Sequence, residues 1–427
     1  MFVRTWLAIP LVASLTAQAP DAKWLSGELD NLTLLYQQLH KTPELSFHET
    51  KTAARVALEL ETAGLQVTRN VGGLGVVAML ENGDGPVGLL RCDMDALPIA
   101  EQTSLPYAST IRAEAADGTP IGVMHACGHD IHMATMIGTA RWFMTHKSEW
   151  QGTLLFIAQP AEERSGGMRA MVKDGLLTRF PKPAFALALH CDPALPTGTI
   201  GVRSGPLMAA VDSADITFFG KGGHGAMPHL TIDPIVLAAQ FVVDIQTIVS
   251  REVDPIEPCL ITVGSFHGGT KHNIIPDHVD LQLTMRSYSP VVREQLKAAI
   301  IRKAEALAQS ARAPKPTVEF AEPTGALKND DQLVQRTTIA LRNALSAPCV
   351  VTAQQQMIAE DFGQLSLAGI PICMFRLGTI APARLKQLEH DDQVPLLHTA
   401  TYYPDAKESI STGVTAMVTA TRALLTK

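Results

Sequence analysis

The stretch Met-His-Ala-Cys-Gly-His-Asp-Ile-His-Met-Ala, residues 124–134, gathers His125, Cys127, His129, Asp130 and His132 around a single glycine. Thiolate, imidazole and carboxylate are ligands of transition metals, and a thiolate favours a soft or borderline ion such as zinc. Cys127-Gly128-His129 is compact. Its glycine permits a tight turn that aims both flanking side chains at one centre.

Other polar groups follow short apolar runs directly. Residues 87–90 lead into Asp93 and Asp95, 154–158 into Glu162 and Glu163, and 184–189 into His190. Continuous apolar runs of this kind, residues 75–80 included, suit strands covered on both faces, as in a parallel sheet between helices. Sites in open α/β sheets form at the carboxyl ends of strands. Cys127, His129, Glu162, Glu163, His190 and, less clearly, Asp93 are therefore expected to meet. Of two adjacent glutamates, one commonly coordinates while its neighbour faces the water as general base. Taken singly, each residue has an ordinary structural meaning: a hydrogen-bonded histidine, a glutamate pair opening a helix, a buried thiol, aspartates capping a loop. Placed at successive strand ends, they point to a metal site.

A second cluster lies further on. Gly220-Lys221-Gly222-Gly223-His224-Gly225 surrounds a histidine with permissive backbone, and Pro228-His229 follows. As a phosphate cradle such a loop is weak evidence. Asn273 and Arg286 offer donors suited to a carboxylate, although an isolated arginine is more commonly a surface ion-pair partner.

The elements that must position these residues form two patterns. Helical periodicity covers 50–63 and 131–146, the latter with Asp130 as its expected N-cap. With the apolar strands, this predicts an α/β domain with a mostly parallel sheet and helices on both faces, built from residues 25–208 and 322–427. Between them, 209–321 reads as a strand at 211–219, a helix from Asp233-Pro234 to about residue 251, strands at 259–266 and 278–288, a helix at 291–311 and a strand at 317–320. That β-α-β-β-α-β order is an inserted α+β unit. Residues 204–206 and 322–325 are the expected hinges.

Composition sets the class. The chain has 427 residues, 46% hydrophobic and 18% charged, enough for two or three globular domains. Thirty-five basic residues against 42 acidic ones give a net charge of −7, and no basic run suggests a nucleic-acid surface. Arg4, an apolar run at 6–15 and Ala17-Gln18-Ala19 read as a signal peptide over 1–19, too short for a stable membrane anchor. This predicts a secreted or periplasmic protein; the sparse charge before the run and Pro20 after the cut are the features that favour a cytoplasmic one. Six scattered cysteines without a Cys-x-x-Cys spacing are mostly small buried hydrophobes.

The ordered motifs resemble the M20 metallopeptidase family, in its aminoacylase/amidohydrolase branch with the hippurate and indole-acetyl-amino-acid hydrolases. They are 91–98, 124–132, 159–163, His190, 220–229, 273–276, Ala359-Glu360-Asp361-Phe362 and His398. The resemblance implies two divalent metal ions, zinc first with manganese, cobalt or nickel as alternatives, held by Cys127, His129, Glu163, His190 and His398. It implies Glu162 as general base and His224 as the residue that polarises the scissile carbonyl, in some members from the partner subunit. Asn273 and Arg286 would hold the substrate carboxylate, and the insert would serve as lid and homodimer surface. The implied reaction is hydrolysis of N-acyl amino acids. A metallo-carboxypeptidase or dipeptidase acting on short peptides is the alternative. The chain departs from the peptidase members at 91–93, where they carry His-x-Asp; that puts the metal role of Asp93 in doubt. Cys92 is expected to be passive, and strand alternation points Cys191 away from the metals.

Overall fold

The computed structural model describes residues 19–115 and 117–425; the signal peptide expected at 1–19 lies, but for Ala19, outside them. Along the chain run α1 (Ala22–Lys41), α2 (Thr50–Thr62), β1 (Gln66–Val71), β2 (Gly75–Asn82), β3 (Val87–Asp93), α3 (His129–Thr145), β4 (Gly152–Gln159), β5 (Phe185–Pro196) and β6 (Ile200–Val202). Then come β7 (Ala210–Phe219), α4 (Pro234–Asp244), β8 (Cys259–His267), β9 (His278–Ser287), α5 (Pro290–Ser310) and β10 (Thr317–Thr324). The chain ends with α6 (Asp331–Leu345), β11 (Val350–Thr352), β12 (Ile372–Ile380) and α7 (Ala406–Leu425).

Eight strands form the larger sheet in the order β1-β2-β4-β3-β5-β12-β6-β11. Its centre, from β4 through β3 and β5 to β12, is parallel. Alternate residues of each central strand enter two cores. Leu90, Phe156 and Leu187 pack with α1, α3 and α7, while Leu89, Ile157 and Ala188 pack with Met168, Met171 and Phe362. Covering both faces is why these strands read as unbroken apolar runs. One inference from that pattern is corrected. The 75–80 run is buried like its neighbours, but β2 pairs antiparallel with both β1 and β4. Apolar continuity reports burial on two faces and carries no information on strand direction.

The second sheet, β8-β9-β7-β10, is antiparallel throughout. Its strands alternate in burial, most clearly in β9, and α4 and α5 pack on one face around Phe218, Phe241, Leu283 and Leu296. Asp233 caps α4 and Ser289 caps α5, each with proline at the first turn, the arrangement that satisfies free amides at a helix start. The helix expected to reach residue 251 ends as an α-helix at Asp244 and resumes as a π-helical turn over Ile248–Glu252. Between the two sheets, Gly205–Met208 pairs antiparallel with Leu327–Asn329. Asn329 locks this ribbon onto the larger sheet through Met374 and the Arg203 carbonyl.

Candidate active site and metal centre

The opening motif turns at Gly128, whose φ is 80°. A Cβ here would approach Cys191 Sγ to 2.7 Å, so only glycine takes this left-handed turn against that thiol. Gly128, and not Asp130, is the N-cap of α3. Asp130 lies in the first turn, where it accepts a 2.7 Å hydrogen bond from His40. The turn presents Cys127 and His129 to the carboxyl ends of β3, β4 and β5.

There the donors interlock. Cys127 Sγ lies 3.5 Å from His190 Nε2 and 3.3 Å from His398 Nε2. Glu163 Oε1 lies 3.4 Å from His398 Nε2 and 3.7 Å from His129 Nε2. Cys127 meets His129 and His190 in one three-donor group, and Glu163 and His398 in another. His129 Nε2 and Glu163 Oε1 are buried without any hydrogen-bond partner. Orphaned buried polar atoms are costly, and a cation between them would satisfy both. The remaining nitrogens fix the rings, with His129 Nδ1 donating to the Asp95 carbonyl at 2.8 Å and His190 Nδ1 to the Cys191 carbonyl at 2.9 Å. Such outer hydrogen bonds orient metal-binding imidazoles.

The charges agree with this. Burial opposes a proton on His129, but Asp93, Asp95 and Glu163 outweigh it and hold its pKa at about 10. The pocket thus attracts positive charge at the point where His129 Nε2 has no partner. Burial pushes the Cys127 thiol up, with Glu163, Glu162 and Asp93 adding to it. Burial depresses His190, helped by Arg376, leaving a neutral ring able to coordinate. Glu162 is raised well above the usual carboxylate range, first by burial, then by Glu360, Glu163 and Asp361, against the pull of Arg91. A buried carboxyl whose proton is favoured in this way suits general acid–base work.

A cleft of about 630 Å³ opens over these groups. Cys127, Glu162, Glu163, His190 and His398 form its floor, and Arg286, Ser213, Thr284 and Val211 come from the second sheet. Arg286 is half-buried and donates to the Met357 carbonyl at 3.1 Å. His224 and Asn273 do not join them. His224 sits on an exposed two-residue strand paired with Ile274–Ile275, Asn273 precedes that pair, and neither borders the cleft of its own chain.

Other members of the motifs have structural partners. Asp93 gives one carboxylate oxygen to Arg91 and the other to His132, each at 2.6 Å. His132 Nε2 accepts from the Cys191 amide at 2.9 Å. Cys191 is buried in the core, outside every donor group, and Cys92 is buried there too.

Two features escape a reading of the sequence. Asp95, read only as a loop cap, accepts from the amides of Glu162 and Glu163 at 3.1 and 3.0 Å and from Ser46 Oγ at 2.7 Å; it clamps the loop that carries both glutamates. Arg91 joins Asp93, Gln159, Glu360 and Asp361 in a buried network behind Glu162. The pairing of Arg91 with Glu360 spans 269 positions, and nothing local announces it.

The chain is similar to known proteins. The model of the peptidase family M20/M25/M40 matches residues 89–396. An N-acetyl-L-cysteine deacetylase of Bacillus subtilis is 38% identical over 327 residues, 76% of this chain and 75% of its own length. An N-acetyldiaminopimelate deacetylase of Limosilactobacillus fermentum is 36% identical over 84% of this chain and 91% of its own. The crystal structure of the Bacillus subtilis YXEP protein, described as a dinuclear metal-binding peptidase from the M20 family, superposes with a TM-score of 0.78 at 30% identity, covering 94% of this chain and 99% of that one.

Proposed function

Because the chain belongs to the peptidase family M20/M25/M40, it is an amide-bond hydrolase, and we propose that it cleaves N-acyl amino acids with Glu162 as general base over two divalent ions. The observation that carries this reading is the ring of Cys127, His129, Glu163, His190 and His398, with two orphaned buried atoms, beside a buried Glu162 of raised pKa. Cys127 belongs to two of the three-donor groups and would be a ligand in either. Zinc suits the thiolate best, with manganese, cobalt and nickel as alternatives.

When bound, the ions supply positive charge at the cleft floor and bring the acidity of water towards neutrality. Glu162 takes the proton of the attacking water and delivers it to the leaving amine. Arg286 holds the free carboxylate of the substrate. The reading of the product as an amino acid is supported by two of the relatives, an N-acetyl-L-cysteine deacetylase and an N-acetyldiaminopimelate deacetylase.

Residues 209–321 act in this proposal as one inserted lid, and the chain works as a homodimer. Met227, Leu230, Val236 and Val243 are exposed apolar residues on that unit, and β8 ends its sheet with a free edge. Both features suit a second copy. His224 and Asn273 would then reach the cleft of the other subunit, His224 to polarise the carbonyl. No described helix is long and apolar enough to cross a membrane, and the N-terminal motif supports export.

The test is metal analysis of the purified chain with an assay on N-acetyl, N-benzoyl and dipeptide substrates. Turnover of the N-acyl compounds supports the proposal. Turnover of dipeptides alone would shift it to a peptidase.

A further inference from the structure

Arg164 follows the glutamate pair and lines the same cleft as Arg286. Its root is fixed. The loop is clamped by Asp95 at Glu162 and Glu163, and the Ser165 amide returns to the Glu162 carbonyl at 2.7 Å. Arg169 holds the Ser165 carbonyl at 2.7 Å. Ala161 and Ser165, at φ 50° and 48°, both lie in the left-handed region. Two non-glycine residues held there on either side of one short loop are a strain that persists only where surroundings impose it, as at ligand clamps.

The head of Arg164, by contrast, is free. It is exposed, and among the described residues no carboxylate or other acceptor pairs with it. Glu163 is turned to His129 and His398 instead. Arg286 has only a backbone carbonyl. Two guanidinium groups therefore line one cleft, and among the described residues neither is paired with a carboxylate. Like charges so placed repel unless a ligand brings negative charge to both.

We propose that Arg164 is a specificity residue for a second carboxylate, so that the preferred N-acyl amino acid is a dianion, one carboxylate at Arg286 and one at Arg164. This rests on the amidohydrolase reading above. The second carboxylate comes either from the amino-acid side chain or from the far end of the acyl group, and guanidinium recognises both alike.

Two matched substrate pairs separate these sources: N-acetyl-glutamate against N-acetyl-glutamine, and N-succinyl-leucine against N-butyryl-leucine, each assayed with the metal-loaded full chain. The expected result is a preference in kcat/KM for the dianion of one pair by roughly fivefold or more, on the scale of one charge-assisted contact. Arg164→Ala brings that ratio close to one, Arg164→Lys retains most of it and Arg164→Glu inverts it. A loss of fold would lower both members of a pair together and leave the ratio in place. Turnover without a dianion preference in either pair, or a preference untouched by Arg164→Ala, overturns the proposal alone. Failure to turn over any of the four compounds overturns it together with the amidohydrolase reading.

Discussion

His398 Nε2 lies 3.3 Å from Cys127 Sγ, although 271 positions separate the two residues. The contact joins the segment between β12 and α7 to the turn before α3, and it completes one of the two donor groups that share Cys127. His398 holds a left-handed backbone conformation, φ 62°, and its amide is fixed to the Ala126 carbonyl at 2.9 Å. The late histidine is thus delivered to the cysteine by backbone pairing as well as by side-chain contact.

Replacement of Glu162 by Gln removes the proposed proton carrier and leaves the ring of Cys127, His129, Glu163, His190 and His398 unsubstituted. Turnover should fall by roughly 10²–10⁴-fold, the range for a general base, while the metal content of the purified protein stays that of the wild type. Steady-state rates and elemental analysis check both parts; normal activity in the variant would refute the role.

Asp95→Asn tests the clamp. An amide in place of the carboxylate cannot accept from the Glu162 and Glu163 amides with both of its heavy atoms. We expect metal affinity or activity to drop by about 10–100-fold, as for other residues that orient metal ligands, with the fold retained by circular dichroism. An unchanged variant would show that the loop is held without it.

His40 links stability to pH. Burial opposes its charge, but hydrogen bonds to Asp130 and Glu101 prevail and hold its pKa at about 9, above the ordinary 6.5. The folded state therefore keeps a proton that the unfolded chain releases. The resulting stability is fully present below about pH 6.5, falls as pH rises through about 9, and is of order 3 kcal/mol. Urea midpoints of wild type and His40→Gln should differ most near pH 6 and converge towards about pH 10. A gap that does not change with pH would contradict this.

The ribbon between the two sheets narrows the hinge. Gly205–Met208 and Leu327–Asn329 are fixed to the larger sheet, while Val211 already pairs with Thr324 in the smaller one. Rotation of the lid proposed for 209–321 would be left to the residues between, near Ala209 and Gly325. Structures with and without a substrate analogue should differ by rotation about these points, and identical sheet-to-sheet angles would exclude closure.

Part of this arrangement is legible in the sequence because Glu162, Glu163 and His190 follow apolar strands, and strand ends converge. The 3.6-residue and two-residue periodicities place the helices and the second sheet within a few positions. Strand direction in β2 is not legible, because burial on both faces reads alike in parallel and antiparallel neighbours. The Asp130 cap is misjudged because glycine at a left-handed turn displaced the usual acidic cap. Asp95, Arg91 and Glu360 act through contacts far apart in the chain. Their pairing is a property of the assembled sheet, and no local pattern encodes it.

The most direct measurement is amide hydrolysis of an N-acyl amino acid before and after the protein is stripped by a chelator, with bound metal quantified in both states. The account predicts close to two divalent ions per chain, loss of hydrolysis on stripping, and recovery on adding zinc or manganese. Hydrolysis that persists in the metal-free protein, or a chain that never binds ions with Cys127 and His398 intact, would contradict it.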